Sequence, residues 1–168
     1  MIWQLLDGLI FDFDGVFSDN KVLTGSTSEE YVVASKDDSI ALGGFRKMLD
    51  TANKNGFKII CISGEKNSSV SNRCSKIGLP FKVASSDKTS AALEEFNDLS
   101  RVLYVGNHLN DFRLMVNCGL RWCPSDSHPL IKHISNKILR AKGGEGVALE
   151  VIDELSQGLY KYWVGGIE

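Results

Sequence analysis

Short apolar runs closed by polar or glycine-bearing turns alternate along this chain with stretches of helical period, and that alternation restricts its fold more than any other feature. The runs read as buried strands over Leu9 to Phe13, Lys58 to Ser63, Phe81 to Ala84, Arg101 to Val105 and Leu120 to Cys123, with a further one at Lys137 to Arg140. The helical stretches begin at Asp38, where Ile40, Phe45, Met48, Leu49 and Ala52 make one stripe, Asp37 or Asp38 serves as N-cap and Asn55-Gly56 as the stop. Helices follow over Ser68 to Ile77, Lys88 to Phe96 with Asp87 as its cap, and Asn110 to Cys118. A last helix from Gly146 to Leu159 is expected to bury Val147, Val151, Ile152, Leu155 and Leu159, ahead of a frayed Gly165-Gly166 tail. Strands alternating with helices connect by right-handed crossovers. The expected fold is therefore α/β, a Rossmann-like open and mainly parallel sheet with helices on both faces.

Lys21 to Ser35 departs from this rhythm. Val22-Leu23 and Tyr31-Val32-Val33 flank Gly25-Ser26-Thr27-Ser28, which reads as a small β-hairpin. Residues 1–168 suit one domain with this insert at about 21–35, capless apart from the hairpin. A net charge of −2 leaves no basic footprint, so neither nucleic acid nor a membrane surface is the expected partner. The four cysteines, Cys61, Cys74, Cys118 and Cys123, show no CxxC spacing. That argues against zinc or a disulfide framework and for a reducing compartment, the cytoplasm. No signal peptide and no bilayer-length apolar stretch is apparent.

The chemistry-bearing residues gather where strands end. Ile10-Phe11-Asp12-Phe13-Asp14-Gly15-Val16 carries two carboxylates at i and i+2, which on a strand point to one face. Two like charges there are costly unless a cation or a phosphoryl group uses them. Ser63-Gly64, Asp87-Lys88 and Gly106-Asn107 with Asn110-Asp111 follow three further strands, and in an open α/β sheet all these ends share one edge. Together they suit phosphoryl transfer. Asp12 would be the nucleophile and Asp14 the general acid and base, while Lys88 offsets phosphoryl charge and Ser63 and Gly64 hold the phosphate. A hard divalent cation, Mg²⁺, would sit among Asp12, the Asp14 carbonyl and Asn107, with Asp111 as an outer or direct ligand.

These segments resemble the haloacid dehalogenase superfamily over nearly the whole chain. Its four motifs are matched by Asp12-Phe13-Asp14-Gly15, Ser63, Lys88 and Gly106-Asn107-His108-Leu109-Asn110-Asp111. Asp14 to Asp19, Ser63 to Asn67, Asp87-Lys88 and Lys142 to Val147 are similar to its sugar-acid phosphatase branch. That branch holds octulosonate 8-phosphate and nonulosonate 9-phosphate phosphatases and the C-terminal domain of acylneuraminate cytidylyltransferases. Gly64-Glu65-Lys66 is closer to the nonulosonate members. The resemblance implies an Mg²⁺-dependent phosphatase for a 2-keto-3-deoxy sugar acid phosphate, with Lys66 and Arg73 as carboxylate-binding residues. It also implies a homotetramer in which the hairpin and Lys142 to Gly146 close a neighbour's site. One departure stands out: Asn107 replaces the usual aspartate, which removes a metal-binding charge and leaves a catalytically weak oligomerisation module as the alternative. Trp3, Trp122 and Trp163 read as packing residues.

Overall fold

The computed structural model describes residues 1–26, 30–66, 68–84 and 87–159. Thr27 and Ser28 of the hairpin turn, Asn67, Trp163 and the Gly165-Gly166 tail lie outside the described residues.

After a short 3₁₀ turn the chain forms β1 (Gly8–Phe11), the hairpin strands β2 (Leu23–Thr24) and β3 (Glu30–Tyr31), and then α1 (Lys36–Thr51). There follow β4 (Lys58–Ser63), α2 (Ser68–Lys76), β5 (Phe81–Val83), α3 (Lys88–Leu93) and β6 (Val102–Val105). The chain continues with α4 (Phe112–Asn117), β7 (Leu120–Cys123), α5 (Pro129–Ile134), β8 (Lys137–Ile138) and α6 (Val147–Ser156). Six strands make a parallel sheet in the order β5-β4-β1-β6-β7-β8, and β2 and β3 pair antiparallel apart from it.

Alternation along the central strands sorts the core into two layers. Leu9 and Phe11 of β1, Cys61 of β4, and Leu103 and Val105 of β6 pack with α1, α2 and α6 through Phe45, Val70 and Val151. Ile10, Ile60, Ile62 and Tyr104 face the other way, against Ala92 of α3, Leu114 of α4 and Ile131 of α5. Each such buried aliphatic or aromatic side chain contributes about 1.5–3 kcal/mol. Phe11 pairs with Cys61 on one side and Val105 on the other, so β1 is the line from which the two halves of the sheet diverge. A crevice opens at the carboxyl end of such a strand, and Asp12 is the residue that follows it.

Several local expectations are corrected. Strand β1 ends at Phe11, before both aspartates. Asp12 N still donates to Val105 O at 2.9 Å, and Val16, Phe17 and Ser18 N then all turn back to Phe13 O. A turn, not strand alternation, brings Asp14 to the cleft that Asp12 also lines. Helix α1 is capped by Ser35, whose Oγ accepts from Asp37 N at 3.1 Å, and it ends at Thr51, short of Asn55-Gly56. Its buried stripe runs through Ala41, Leu42, Phe45, Met48 and Leu49, while Ile40 faces solvent. Leu159 is exposed past the end of α6. Apart from these corrections, the Lys142 to Gly146 turn is anchored within its own chain: Gly144 N donates to Val16 O at 3.0 Å and Gly143 N to Asp126 Oδ1 at 3.1 Å. Trp3 and Trp122 are buried, as are all four cysteines, which are free thiols. Among the described residues no helix is long and apolar enough to cross a membrane.

Candidate active site

At the crevice lies a cleft of about 400 Å³, lined by Asp12, Asp14, Ser63, Gly64, Asn107 and His108 from the sheet edge. Asn20, Val22, Glu30 and Val32 of the hairpin segment face the same space, as do Glu65, Val70 and Asn110. Beneath its floor runs a chain of charge. Lys88, on the first residue of α3 after the Asp87 cap, lies 2.8 Å from Asp12 Oδ1 and 2.6 Å from Asp111 Oδ1. All three side chains are buried. Asp111 has its oxygens fully engaged, Oδ1 by Lys88 Nζ and the Tyr104 hydroxyl (2.6 Å), Oδ2 by the backbone N–H groups of Asn107 (2.8 Å) and His108 (3.1 Å). This geometry makes Asp111 the anchor of the fourth-motif turn and of Lys88, a placement that suits the outer of the two ligand roles the sequence suggested better than the direct one.

Burial, and next the Asp111 carboxylate, push the Asp12 carboxyl up to about 8 against the pull of Lys88. Burial works against the Lys88 ammonium, yet Asp12 and Asp111 together hold it up at about 12. Two carboxylates thus share one ammonium out of water, and a further cation beside Asp12 would relieve the surplus. Asp14 is half-buried. Burial raises its carboxyl first of all, the Ser18 hydroxyl donates to its Oδ1 at 3.3 Å, and the Glu65 and Glu30 charges raise it further. A carboxyl held upward can carry a proton into the cleft and take one back.

Asn107 supplies the signal for a cation. Its Oδ1 is buried and has no hydrogen-bond partner, while its backbone carbonyl accepts from His128 N at 2.9 Å. Its side chain packs on Gly15, whose φ of +77° turns the first motif and where a Cβ would lie 1.7 Å from Asn107 Nδ2. Among the described residues no group of three His, Cys, Asp or Glu side chains is arranged to hold a metal. Around Asp12 the potential ligands are oxygens, its own carboxylate and the orphaned Asn107 amide, a pair that fits a hard divalent cation rather than a soft one, with His108 as the one imidazole among the described residues of the cleft wall.

Ser63 is buried at the end of β4, and its Oγ accepts from Glu65 N at 3.1 Å, which folds the loop after the strand so that Gly64 borders the cleft. The two basic residues assigned to a substrate carboxylate stand apart. Lys66 is exposed and does not line the cleft, and Arg73 donates to Ser35 O at 2.8 Å beside a smaller hollow formed with Tyr31, Val32, Ala34 and Ser69. Sequence reasoning missed Tyr104, the hairpin residues of the cleft wall, and the edge-to-face contact of His108 with His128, whose ring centroids are 5.5 Å apart. A signal for Tyr104 was available: a phenol inside an apolar strand needs a partner for its hydroxyl.

A parallel sheet with a carboxylate pair at its switch point, and a lysine tied to the first of them, defines a hydrolase of the haloacid dehalogenase type. No model of a known protein family matches the chain. Among curated proteins, the 3-deoxy-D-manno-octulosonate 8-phosphate phosphatase of Escherichia coli is 31% identical over 155 residues, covering 88% of this chain and 77% of that protein. Among solved structures, a putative phosphatase of the same name from Vibrio cholerae superposes with a TM-score of 0.80 at 30% identity, covering 94% of this chain and 87% of that one. The Moraxella catarrhalis enzyme of that name, solved with magnesium, phosphate and the sugar acid, shares the fold with a TM-score of 0.81 at 21% identity, covering 94% and 91%. The chain belongs to the sugar-acid phosphatase branch of the haloacid dehalogenase superfamily, the family of these 3-deoxy-D-manno-octulosonate 8-phosphate phosphatases.

Proposed function

We propose that this chain hydrolyses the phosphate monoester of a 2-keto-3-deoxy sugar acid through an aspartyl-phosphate on Asp12. The observation that carries the reading is the buried Asp12–Lys88–Asp111 array at the floor of an open cleft, with Asn107 Oδ1 left without a partner beside it. Asp12 would form a bond to phosphorus as the ester P–O bond breaks, and Asp14 would give its proton to the departing alkoxide oxygen. Water would then attack the same phosphorus, Asp14 would take its proton, and inorganic phosphate and free Asp12 would result. Lys88 holds positive charge against Asp12 and the incoming phosphoryl oxygens throughout, and Ser63 with the Gly64 backbone would bind those oxygens. Mg²⁺, held by Asp12, the Asp14 carbonyl and Asn107, would supply charge neutralisation for the phosphoryl group.

The substrate we favour is a nonulosonate 9-phosphate, with octulosonate 8-phosphate as the second reading. Glu65, central to the Gly64-Glu65-Lys66 segment that resembles the nonulosonate members, borders the cleft and supports the first. The names of the relatives support the second. Exposed Val22, Leu23, Tyr31 and Val33 on the hairpin suit assembly with further copies of the chain, the tetramer implied by the resemblance. Phosphate release from both sugar acid phosphates with Mg²⁺ tests the reading. Release from a nonulosonate 9-phosphate at a higher kcat/KM supports it, the reverse ratio selects the second, and release from neither overturns both.

A further inference from the structure

We propose that Tyr104 is a positioning residue for phosphoryl transfer: its hydroxyl, shared with Lys88 on one oxygen of Asp111, keeps the lysine extended toward Asp12. The proposal rests on the reading that Lys88 faces the reacting phosphoryl group. Tyr104 lies in β6, in register with Ile10 of β1, and is fully buried in the layer against α3 and α4. Its hydroxyl donates to Asp111 Oδ1 at 2.6 Å, the oxygen that also accepts from Lys88 Nζ at 2.6 Å. Lys88 in turn reaches Asp12 Oδ1 at 2.8 Å. A hydroxyl, an ammonium and two carboxylates thus form one buried row that ends on the nucleophile.

The row has a mechanical and an electrostatic consequence. Mechanically, four donors on one carboxylate fix its rotamer, and Tyr104 supplies the one that comes from the sheet. The backbone has been fitted to this contact: a Cβ on Gly106 would lie 2.6 Å from the Tyr104 ring and 2.7 Å from the Asp111 carboxyl carbon. Electrostatically, a second donor on Oδ1 withdraws charge that would otherwise draw Lys88 wholly onto Asp111. Without it a flexible ammonium settles on the nearer carboxylate and is less available to Asp12. The phenol remains protonated for this role, since burial and then the Asp111 charge hold it well above its ordinary range. Tyr104 touches neither substrate nor cation; it acts through Asp111 and Lys88.

The test is Tyr104→Phe, which removes one oxygen and keeps the packing. With p-nitrophenyl phosphate and Mg²⁺, kcat is expected to fall about tenfold with KM within about twofold, less than the roughly 10²-fold cost of displacing a reacting group by 1 Å. Orthovanadate, which mimics the transition state, is expected to bind weaker by the same factor, and inorganic phosphate unchanged. The thermal midpoint should stay within a few degrees, which a merely structural role would not allow. In an Asp111→Asn background Tyr104→Phe should cost nothing more. Undiminished kcat in Tyr104→Phe, a loss of kcat that only tracks a falling midpoint, or a full additional loss in the Asp111→Asn background overturns the proposal. Should Tyr104→Phe not fold, Asp111→Asn alone decides: a loss of kcat without a rise in KM supports the row, and full activity overturns it. A wild-type protein that releases phosphate from neither p-nitrophenyl phosphate nor a sugar acid phosphate overturns the function proposed above, and this inference with it.

Discussion

Lys88 Nζ stands between Asp12 Oδ1 and Asp111 Oδ1, 2.8 Å from the first and 2.6 Å from the second, with all three side chains out of water. The position of one lysine therefore decides both the stability of the crevice and its chemistry. Lys88→Ala leaves the buried Asp111 carboxylate without its counter-charge and removes the cation that opposes the rise of Asp12. Breaking a buried pair in this way costs about 3–5 kcal/mol. The variant is expected to unfold at markedly lower urea concentration at pH 7 and to release no phosphate. Asp12, already held up at about 8 beside Lys88, stays protonated at pH 7 once the ammonium is gone, so the deficit should deepen only as pH rises past 8 and Asp12 ionises beside Asp111. Wild-type stability in Lys88→Ala would mean that the ammonium is not the compensating charge.

Asn107 stands where the resemblance implies an aspartate, and its unpartnered Oδ1 makes the difference measurable. An amide oxygen ligates a hard cation with less charge than a carboxylate does. Asn107→Asp is expected to tighten Mg²⁺ about tenfold by titration calorimetry, since affinity follows ligand charge. Asn107→Ala should weaken it beyond detection while leaving the fold intact. An unchanged affinity in both variants would remove Asn107 from the metal site.

The first-motif glycine is constrained from two directions. Gly15 has φ +77°, and a Cβ would meet Asn107 Nδ2 at 1.7 Å. Gly15→Ala must either straighten the turn that sets Asp14 or push Asn107 out of the crevice. The strained conformation alone costs about 1–2 kcal/mol. Gly15→Ala should lower the thermal midpoint and abolish phosphate release. Retained Mg²⁺ binding and phosphate release would mean that neither Asn107 nor the Asp14 carbonyl depends on the glycine.

How much of this was legible beforehand differs from residue to residue, for physical reasons. Asp12, Ser63, Lys88 and Asn107 were readable as one group because a parallel sheet sends every strand end to the same edge, whatever the intervening helices do. Strand ends carry no information on depth, so Asp111 read as an outer or direct ligand with nothing to choose between them, whereas backbone N–H groups and Lys88 engage both its oxygens. Tyr104 read as one more core residue of an apolar run. The hairpin was recognisable from its turn residues. That its Glu30 and Val32 border the cleft depends on how a two-stranded flap leans on the sheet, which no local pattern encodes. Lys66 and Arg73 were placed by resemblance alone, and Arg73 ties α2 to the start of α1 through Ser35 O.

Asp38 illustrates the same limit and supports a prediction about pH. In the sequence it is a plain N-cap candidate. In the structure it lies in the first turn of α1 and accepts from Leu149 N, 111 residues away, at 3.1 Å, so that it caps the first turn of α6. Its Oδ2 is buried and unpartnered. Burial outweighs the Leu149 and Ala148 N–H groups and raises the carboxyl from 3.8 to about 6, with Asp37 adding to the rise and Arg73 opposing it. A carboxyl raised on folding binds its proton more tightly in the native state. Its contribution to stability is therefore full below about pH 4 and is lost as pH rises through about 6. At about 1.4 kcal/mol per unit the two-unit rise corresponds to some 3 kcal/mol at most. Asp38→Asn keeps an acceptor for Leu149 N and removes the titration. Urea unfolding between pH 4 and 7 should then show a flatter profile for Asp38→Asn than for the wild type, with the variant the more stable of the two at pH 7. A wild-type profile that rises across this window by more than the variant's would mean that Asp38 is held ionised by its two N–H donors, and that the α1–α6 contact depends on its charge.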